Sequence, residues 1–415
     1  MNTVSDYTLI KTSQKSTKSY IQRIKLKSFN ALCKIIPKKL IFYEISQIKF
    51  KKLQRVLVKL KLLYYDPATY QKLFTLADHS NMLSSISFSY SGRYLATGSH
   101  DKKCLIYDFF KIKKKVPKRI LKYSDHKDMV MSTCFSENEE YFASGGFDKI
   151  VILYGMNPNN RETFGRIISK FDAQTHSITS VKFSRNNEYL ATGNYGGNAI
   201  VYGINPKRQM YYQKPILKFK DHKWGISSVA FSPCSKYFLT GSWDKTALLY
   251  NINQLDQKDF GKSFELKENT DIIWSVCFSN TGNRIATCSE NGRVMVYEFD
   301  DSKEFKSKAQ YLYFIHDNNN NNVNNANAVL LNQLLGLETN ITKIFSIAFS
   351  PLDDYIGTGN FNKRSRIYKV INKGEENFLV MNQFSDHTKL ILSVCFSNSG
   401  LYATAGQDGT VLIYG

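Results

Sequence analysis

Four stretches of this 415-residue chain repeat a histidine, a hydroxyl side chain and an aspartate at nearly fixed spacing. In the first stretch these residues are His79, Thr97 and Asp101. The other three sets are His126, Ser144, Asp148; His222, Thr240, Asp244; and His387, Thr404, Asp408. Such side chains can build a nucleophilic triad, but a triad also needs an exposed nucleophile and an oxyanion site, and neither is indicated. Because the trio recurs four times, we interpret it as scaffold and predict a protein that is not an enzyme.

The pattern of histidines and cysteines does not indicate a metal site or a reactive thiol. One histidine per repeat scatters the imidazoles, whereas zinc needs clustered ligands, so we expect no metal, no cofactor and no small-molecule substrate. The seven cysteines form no CxxC pair, and Cys134, Cys277 and Cys395 fill the same slot of three repeats. That slot suits a small buried side chain, so reduced, structural cysteines and an intracellular location, cytoplasmic or nuclear, are expected.

The trios belong to a longer repeat that covers most of the chain. Each unit runs from an alternating strand ending in Phe-Ser, through Tyr-hydrophobic-Ala-Thr-Gly, to a strand ending in tyrosine. The closing tyrosines are Tyr107, Tyr154, Tyr202, Tyr250, Tyr297, Tyr368 and Tyr414. Their spacings are 47, 48, 48, 47, 71 and 46 residues, so six intervals define seven units. Period-2 strands separated by Asp-Lys or Asp-Gly turns predict an all-β chain whose small sheets must stack on one another.

These repeats resemble the WD40 family, whose units of about 40–45 residues carry a Gly-His near the start and a Trp-Asp at the end. Here the Gly-His is replaced by Asp-His in four units, and the closing Trp is Tyr in all seven. The resemblance implies a seven-bladed β-propeller over 70–415. It also implies that residues 71–76 supply the missing fourth strand of the last unit, 411–415, and so close the ring.

The resemblance further implies a buried structural network that joins each histidine, hydroxyl, aspartate and closing tyrosine. For the four complete units the tyrosines are Tyr107, Tyr154, Tyr250 and Tyr414. The third unit has Gly196 in the aspartate slot and a displaced His176, and the fifth and sixth have Asn291 and Asn362. Those three units are expected to lack the full network.

The resemblance also implies one face on which the residue before the turn aspartate points outward. Those residues are His100, Phe147, Tyr195, Trp243, Glu290, Phe361 and Gln407. Near the start of the first strands, and predicted on the same face, lie Met131, Trp274, Phe345 and Leu392. Large exposed aromatic side chains are typical binding anchors, so this face is predicted to bind a protein or peptide partner.

Two regions depart from the repeat. The long interval is explained by residues 316–340, an Asn-rich insertion expected to be a surface loop. Residues 1–66 contain 15 Lys or Arg against 3 Asp or Glu, and so carry +12 of the chain's net charge of +21. From Ile45 to Tyr64 the apolar residues follow helical spacing, which predicts a basic, amphipathic helical extension over 1–69.

Several roles for the extension stay open. Its helix can dock on the propeller or on a partner, and its charge suits RNA or an anionic membrane, contacted through residues 1–66. A mitochondrial presequence fits less well, because the segment is rich in Lys rather than Arg. The positions Ile36-Pro37, Leu40, Ile45, Ile48, Leu53 and Val58 resemble an F-box, the module that links WD40 propellers to a ubiquitin ligase.

A second basic run, 111–122, links the third and fourth strands of the first unit. With the lysines and arginine of 207–223 it can form a positive patch. The function predicted from the sequence is therefore a non-enzymatic scaffold or adaptor for protein–protein interactions, in a complex that needs no homo-oligomer. The alternatives are a component of an RNA-rich or membrane-surface complex and an F-box-like substrate receptor.

Overall fold

A computed structural model describes residues 66–109, 117–172, 174–206, 212–253, 260–261, 263–266, 268–303, 309–316, 342–370 and 380–415. The predicted extension 1–69, apart from its last four residues, lies outside this part of the chain. So do residues 111–116 of the second basic run, Lys207 and Arg208, and residues 317–340 of the Asn-rich insertion. The first described element is a short 3-10 helix, Pro67–Thr69, where the Asp66 carboxylate accepts a hydrogen bond from the Ala68 N–H at 3.0 Å.

The described residues form 28 β-strands in seven antiparallel sheets of four strands, here called blades 1 to 7. The innermost strands are β2 (Leu83–Phe88), β6 (Val130–Phe135), β10 (Ile178–Phe183), β14 (Ile226–Phe231), β18 (Ile273–Phe278), β22 (Ile344–Phe349) and β26 (Ile391–Phe396). The second strands are β3 (Tyr94–Ser99), β7 (Tyr141–Gly146), β11 (Tyr189–Asn194), β15 (Tyr237–Ser242), β19 (Arg284–Ser289), β23 (Tyr355–Asn360) and β27 (Tyr402–Gly406).

The third strands end in the closing tyrosine or just after it. They are β4 (Cys104–Asp108), β8 (Val151–Gly155), β12 (Ala199–Gly203), β16 (Ala247–Asn251), β20 (Arg293–Phe299), β24 (Ser365–Lys369) and β28 (Val411–Tyr414). The outer strands of blades 1 to 6 are β5 (Lys118–Tyr123), β9 (Ile167–Phe171), β13 (Pro215–Phe219), β17 (Ser263–Leu266), β21 (Ala309–His316) and β25 (Val380–Phe384). The outer strand of blade 7 is β1 (Lys72–Leu76), from the opposite end of the chain.

The blades form a closed ring, because each innermost strand packs between those of its two neighbours and β26 returns to β2. In blade 7, β1 pairs antiparallel with β28, with Leu76 opposite Val411. The pairing continues beyond the strand, where the Gly415 N–H donates to the Gln71 carbonyl at 3.1 Å. The predicted seven-bladed, all-β propeller is confirmed, and the strand that closes it is the one predicted from the sequence.

The glycine of the Ala-Thr-Gly motif permits one blade to approach the next. A Cβ at Gly145 would lie 2.5 Å from the Ile178 Cγ2 in blade 3, and one at Gly193 would lie 2.5 Å from the Ile226 Cγ2 in blade 4. Contacts this short do not occur between real side chains and neighbouring carbons. The recurring motif is therefore explained by packing between blades rather than by turn conformation.

The closing tyrosines also hold neighbouring blades together. The outer strands of six blades end in a buried apolar residue, and in four junctions this residue is aromatic and packs against the closing tyrosine of the next blade. The ring centroids are 4.0 Å apart for Tyr123 and Tyr154, 4.7 Å for Phe171 and Tyr202, 4.1 Å for Phe219 and Tyr250, and 4.0 Å for Phe384 and Tyr414. Burial of these large rings supplies much of the apolar contact between blades.

A serine recurs at the third position of every innermost strand, and in six junctions its hydroxyl oxygen accepts a backbone N–H from the adjacent blade. The donor N–H and the acceptor serine are 3.0–3.2 Å apart in each pair: Thr133 to Ser85, Val181 to Ser132, Val229 to Ser180, Val276 to Ser228, Val394 to Ser346, and Ile86 to Ser393. These bonds link inner strands that share no sheet. Each contributes about 1 kcal/mol, because a neutral hydrogen bond replaces one made to water.

Hydrogen bonds also place two sets of loops on one face of the ring. The N–H of the residue before each turn aspartate, or its replacement, donates to a carbonyl just before the innermost strand of the same blade. In blade 4 the Trp243 N–H donates to Gly225 at 3.0 Å, and in blade 6 the Phe361 N–H donates to Lys343 at 2.9 Å. The turns between second and third strands therefore lie beside the loops that lead into the innermost strands. We call this surface the turn face.

Candidate functional site

Beneath the turn face, blades 1, 2, 4 and 7 each contain a hydrogen-bonded trio. In blade 2 the His126 Nδ1 lies 3.0 Å from the Asp148 carboxylate, and the Nε2 lies 2.7 Å from the Ser144 hydroxyl. The corresponding distances are 2.9 and 2.7 Å around His79, 3.0 and 2.6 Å around His222, and 2.9 and 2.8 Å around His387. The histidine side chains are at most 2% exposed. These hydroxyls therefore face the blade interior rather than solvent, which suits a scaffold and not a nucleophile.

The aspartate also fixes the backbone of the preceding loop. The Asp148 carboxylate accepts from the Lys127 N–H at 2.9 Å, and the Asp244 carboxylate accepts from the Lys223 N–H at 2.8 Å. Burial alone would raise the pKa of each aspartate, but the hydrogen bonds from histidine and backbone outweigh it, so the pKa of Asp101, Asp148, Asp244 and Asp408 lies below the ordinary value. For His79 burial is the stronger effect and lowers the pKa despite the Asp101 partner.

In three blades the closing tyrosine donates to a carboxylate outside the trio, a partner that was not predicted. Tyr107 donates to Asp78 at 2.9 Å, and Tyr154 and Tyr414 donate to Asp125 and Asp386 at 3.2 Å. These carboxylates belong to the residue before each histidine. A phenol carries its oxygen at the far end of the ring, beyond the position of an indole N–H, and so reaches that loop. This gives the Asp that replaces the family's Gly a hydrogen-bonding role in three of the four Asp-His units.

Blade 4 departs from this arrangement. The Tyr250 hydroxyl forms no hydrogen bond with the described residues. Burial and the nearby Asp221 charge raise its pKa.

Blades 3 and 5 replace the trio by an amide side chain that the sequence did not reveal. In blade 3 the Gln174 Nε2 donates to the Thr192 hydroxyl at 2.6 Å and to the Tyr202 hydroxyl at 3.2 Å. A Cβ at Gly196 would lie 2.3 Å from the His176 Nδ1, so glycine makes room for the displaced histidine.

In blade 5 the Asn269 amide donates to the Tyr297 hydroxyl at 2.9 Å and accepts from the Thr287 hydroxyl at 2.8 Å. Blade 6 keeps fewer of these hydrogen bonds than blades 3 and 5. Asn362 donates to the Thr342 hydroxyl at 3.2 Å, but the Tyr368 hydroxyl is buried without a partner among the described residues. The three blades thus lack the His-Asp pair, but two of them build a substitute.

On the turn face itself, six of the predicted partner-binding residues form a continuous arc of rings. The order is Phe147, Tyr195, Trp243, Trp274, Phe345 and Phe361, from blade 2 to blade 6. Successive ring centroids are 6.1, 4.7, 6.0, 5.1 and 6.3 Å apart, and most pairs meet edge to face. Aromatic pairs prefer this geometry, so the rings support one another without a ligand. We call this set the aromatic arc.

The arc offers both exposed and anchored rings. Tyr195 and Phe361 are 52% and 53% exposed, whereas Phe147, Trp243, Trp274 and Phe345 are half-buried. The Trp274 indole N–H donates to the Glu290 carboxylate at 3.2 Å, and the same carboxylate pairs with Lys343. The Lys343 ammonium lies 6.0 Å from the Phe361 ring, so the blade 6 end of the arc has a cation above an aromatic face.

The sequence reasoning missed the most exposed ring, Trp224, which is 59% exposed. Its carbonyl accepts from the Ser242 hydroxyl at 3.2 Å, which places it on the loop beside Trp243. The chain has three tryptophans, and all three lie on the turn face of blades 4 and 5. This concentration of a rare residue type in His-Lys-Trp-Gly, Ser-Trp-Asp and Ile-Trp-Ser was the available signal.

The remaining predicted residues continue the turn face around blades 7, 1 and 2. Met131 and Leu392 are half-buried and, like Trp274 and Phe345, occupy the second position of their innermost strands. His100 and Gln407 occupy the turns of blades 1 and 7, where burial lowers the pKa of His100. The face is therefore asymmetric, with rings over five blades and aliphatic or polar side chains over the other two.

Of the six described cysteines, Cys104, Cys134 and Cys288 are buried and Cys234 is exposed. Burial raises the pKa of Cys104 and Cys134 to about 12, while Cys277 and Cys395 are half-buried. Within the described ranges no group of three or more His, Cys, Asp or Glu side chains could hold a metal ion. The same ranges contain no helix long and apolar enough to cross a membrane.

The sequence profile described as "WD domain, G-beta repeat" matches residues 70–108, 117–154, 165–202, 213–251, 261–298 and 379–415. These six matches cover more than half of the chain. The chain belongs to the WD40 family. Each matched WD40 unit begins with the outer strand of one blade and continues through three strands of the next, so the profile itself spans the blade junctions. A comparison with curated proteins finds no match.

The WD40 unit that the profile does not match comprises β21 to β24, although β22 to β25 form an ordinary four-stranded blade 6. The Asn-rich insertion lies between β21 and β22 in the sequence and accounts for the 71-residue interval between closing tyrosines. WD40 propellers generally act as interaction modules rather than catalysts, and the fold supports a scaffold role in binding protein partners.

Proposed function

We propose that this WD40 propeller is a non-enzymatic adaptor that holds a segment of a partner protein on the aromatic arc. The observation that carries the proposal is the unbroken series of rings from Phe147 to Phe361, with Trp224 beside it. Large rings that are exposed cost solubility, and interfaces concentrate Trp, Tyr and Phe at their centres. An arc of this kind on a rigid ring suits apolar or aromatic side chains of an extended or helical segment.

The half-buried rings serve as the fixed floor of the site and the exposed rings as its contact points. Trp243 and Trp274 are held by edge-to-face contacts, and Trp274 also by its bond to Glu290. Such preorganisation lowers the entropy lost on binding, because the partner meets side chains already in place. Tyr195, Trp224 and Phe361 then supply most of the area that a partner can cover.

The roles suggested for residues 1–66, namely RNA, membrane or F-box-type contacts, lie outside the described residues and stay predictions. The intracellular location also stays a prediction. The aromatic arc is the basis for the adaptor role alone.

The test compares two triple variants of the tagged full-length chain in quantitative affinity purification from its own cells, with nuclease and at high salt. The first variant, Tyr195→Ala, Trp224→Ala and Phe361→Ala, removes the three exposed rings of the turn face. It should reduce each co-purified partner of this site by about tenfold or more, because each lost hot-spot ring costs 2 kcal/mol or more.

The matched control is Leu73→Ala, Ile167→Ala and Val380→Ala, which removes exposed apolar side chains from outer strands, 45%, 38% and 37% exposed. Both variants should melt like the parent. Equal retention of partners by both variants would exclude the aromatic arc as the binding site. Loss in the control alone would move the site to the outer strands.

A further inference from the structure

A row of lysines runs along the outer strands of blades 1, 2 and 3. Lys122, Lys170 and Lys218 occupy the same register position, opposite Leu105, Ile152 and Ile200 of the third strands. In blades 4, 6 and 7 the same position holds Glu265, Gln383 and Thr75. The charge therefore belongs to three consecutive blades and is not a general property of the repeat.

These lysines are exposed and form no hydrogen bond or ion pair with the described residues. Lys118, Arg166 and Lys214 at the beginnings of the same strands, or just before them, are exposed as well. β5, β9 and β13 contain no acidic residue, and the ion pair of Arg119 with Asp78 is a loose 3.5 Å contact. Exposed cations that repeat at one register position without an ion pair make this row, here called the basic rim, a surface for a polyanion.

The curvature of the ring favours a flexible polyanion over a flat anionic surface. Seven blades divide a circle, so the three lysines face directions spread over about 100°. A flat bilayer can touch only part of such a convex surface, whereas a flexible single strand of nucleic acid can follow it. The aromatic residues of these strands, Tyr123, Phe171 and Phe219, are buried against the next blade and cannot stack on bases. Contacts would therefore be made to phosphates and would be independent of sequence.

We propose that the basic rim of blades 1 to 3 binds the phosphate backbone of single-stranded nucleic acid. This site is separate from the aromatic arc, so the propeller can hold a protein segment on its turn face and a nucleic acid on its circumference at the same time. Neither proposal depends on the other.

The experiment measures binding of a fluorescein-labelled 20-nucleotide oligouridine to the full-length chain by anisotropy, over a range of salt. The rim variant is Lys122→Gln, Lys170→Gln and Lys218→Gln. Three lost phosphate contacts should lower the slope of log affinity against log salt by about 2, because each contributes about 0.7 for a single strand. At 0.1 M salt the affinity should fall by roughly tenfold to a hundredfold.

The matched control is Lys102→Gln, Lys149→Gln and Lys363→Gln, which removes the same charge from exposed, unpaired turn lysines of blades 1, 2 and 6. It should keep the parent's slope. Equal losses of affinity in both variants would show that only the net charge matters. An unchanged affinity in the rim variant would show that other residues bind the oligouridine. Either result overturns the proposal. A rim variant that loses binding to phosphatidylserine vesicles but not to oligouridine would replace it by a membrane site.

Discussion

At the scale of single residues, the chain shows how one family network is rebuilt with different side chains. Asp78, Asp125 and Asp386 replace the glycine of the family's Gly-His and receive the phenol O–H of the closing tyrosine. In these three blades the tyrosine that replaces tryptophan is accompanied by a change in the neighbouring loop. The phenol of these three blades stays paired, which matters because an unpaired buried donor costs about 1–3 kcal/mol.

The depressed pKa of the trio aspartates predicts how stability responds to acid. A carboxyl whose pKa is lower in the folded chain stabilises the fold above its ordinary value of 3.8 and loses that effect as the pH falls below it. The lowered pKa of His79 acts in the same direction, starting below its ordinary value of 6.5. The free energy of unfolding, measured by urea titration, should therefore fall as the pH is lowered from 7 to 3.

The variant Asp244→Asn tests the cause of this acid response. At pH 7 its free energy of unfolding should be about 2 kcal/mol below the parent's, because the substitution removes a charged acceptor of the His222 ring. Between pH 5 and 3 its free energy of unfolding should fall by less than the parent's. Asp354→Asn is the control, because burial and the neighbouring Asp353 raise the pKa of Asp354, so its charge opposes folding. An unchanged acid profile in the Asp244 variant would remove the trio from the explanation.

Sequence reasoning located the four trios because their members keep nearly the same spacing in every copy. It failed where an amide side chain occupies the histidine position. Gln174 lies 18 residues before Thr192, the separation between histidine and hydroxyl in blades 1, 2 and 4, and Asn269 lies 18 residues before Thr287. Trp224 was missed for a different reason, since it lies in a loop outside the two series of aligned positions that defined the face. Only the fold reveals which loop residues meet.

At the scale of elements, the strand that closes the ring is the critical one. β1 supplies the outer edge of blade 7, and Leu76 at its end is 4% exposed in the apolar cluster that includes Tyr107 of blade 1. Tyr70, just before it, donates from its hydroxyl to the Gly400 carbonyl at 2.7 Å in a buried position. One short segment thus joins the last blade to the first, and no local sequence neighbour can replace it.

Deletion of residues 70–77 should therefore unfold the propeller, because it exposes the β28 edge and the core beneath it. Two single substitutions within β1 provide the same test if the truncated chain cannot be purified. Leu76→Ala should cost about 2–5 kcal/mol of unfolding free energy, as for other buried leucines, whereas Leu73→Ala, at 45% exposure, should cost less than about 1 kcal/mol. Chemical denaturation measures both. A truncated chain that melts like the parent would contradict the closure.

At the scale of the whole molecule, the blades are coupled in a circle rather than in a line. Open repeat arrays contact only their nearest neighbours and can unfold from either end. Here the serine hydrogen bonds connect six of the seven junctions, and stacked rings add to four of them. Blades 5 and 6 are joined by the apolar cluster that contains Val294, Ile344 and Tyr368. Because β1 pairs with β28 in blade 7, no blade is terminal. A local loss of stability should therefore be transmitted to the opposite side of the ring.

The three tryptophans allow this coupling to be measured, because they report on blades 4 and 5 alone. Asp408→Asn weakens the trio of blade 7 by about 2 kcal/mol, far from every tryptophan. In a ring that unfolds as one unit, the denaturation midpoint followed by tryptophan fluorescence should shift as much as the midpoint followed by circular dichroism. If fluorescence kept the parent's midpoint while circular dichroism shifted, blade 7 would open independently, and the closed ring would behave as a set of separate blades.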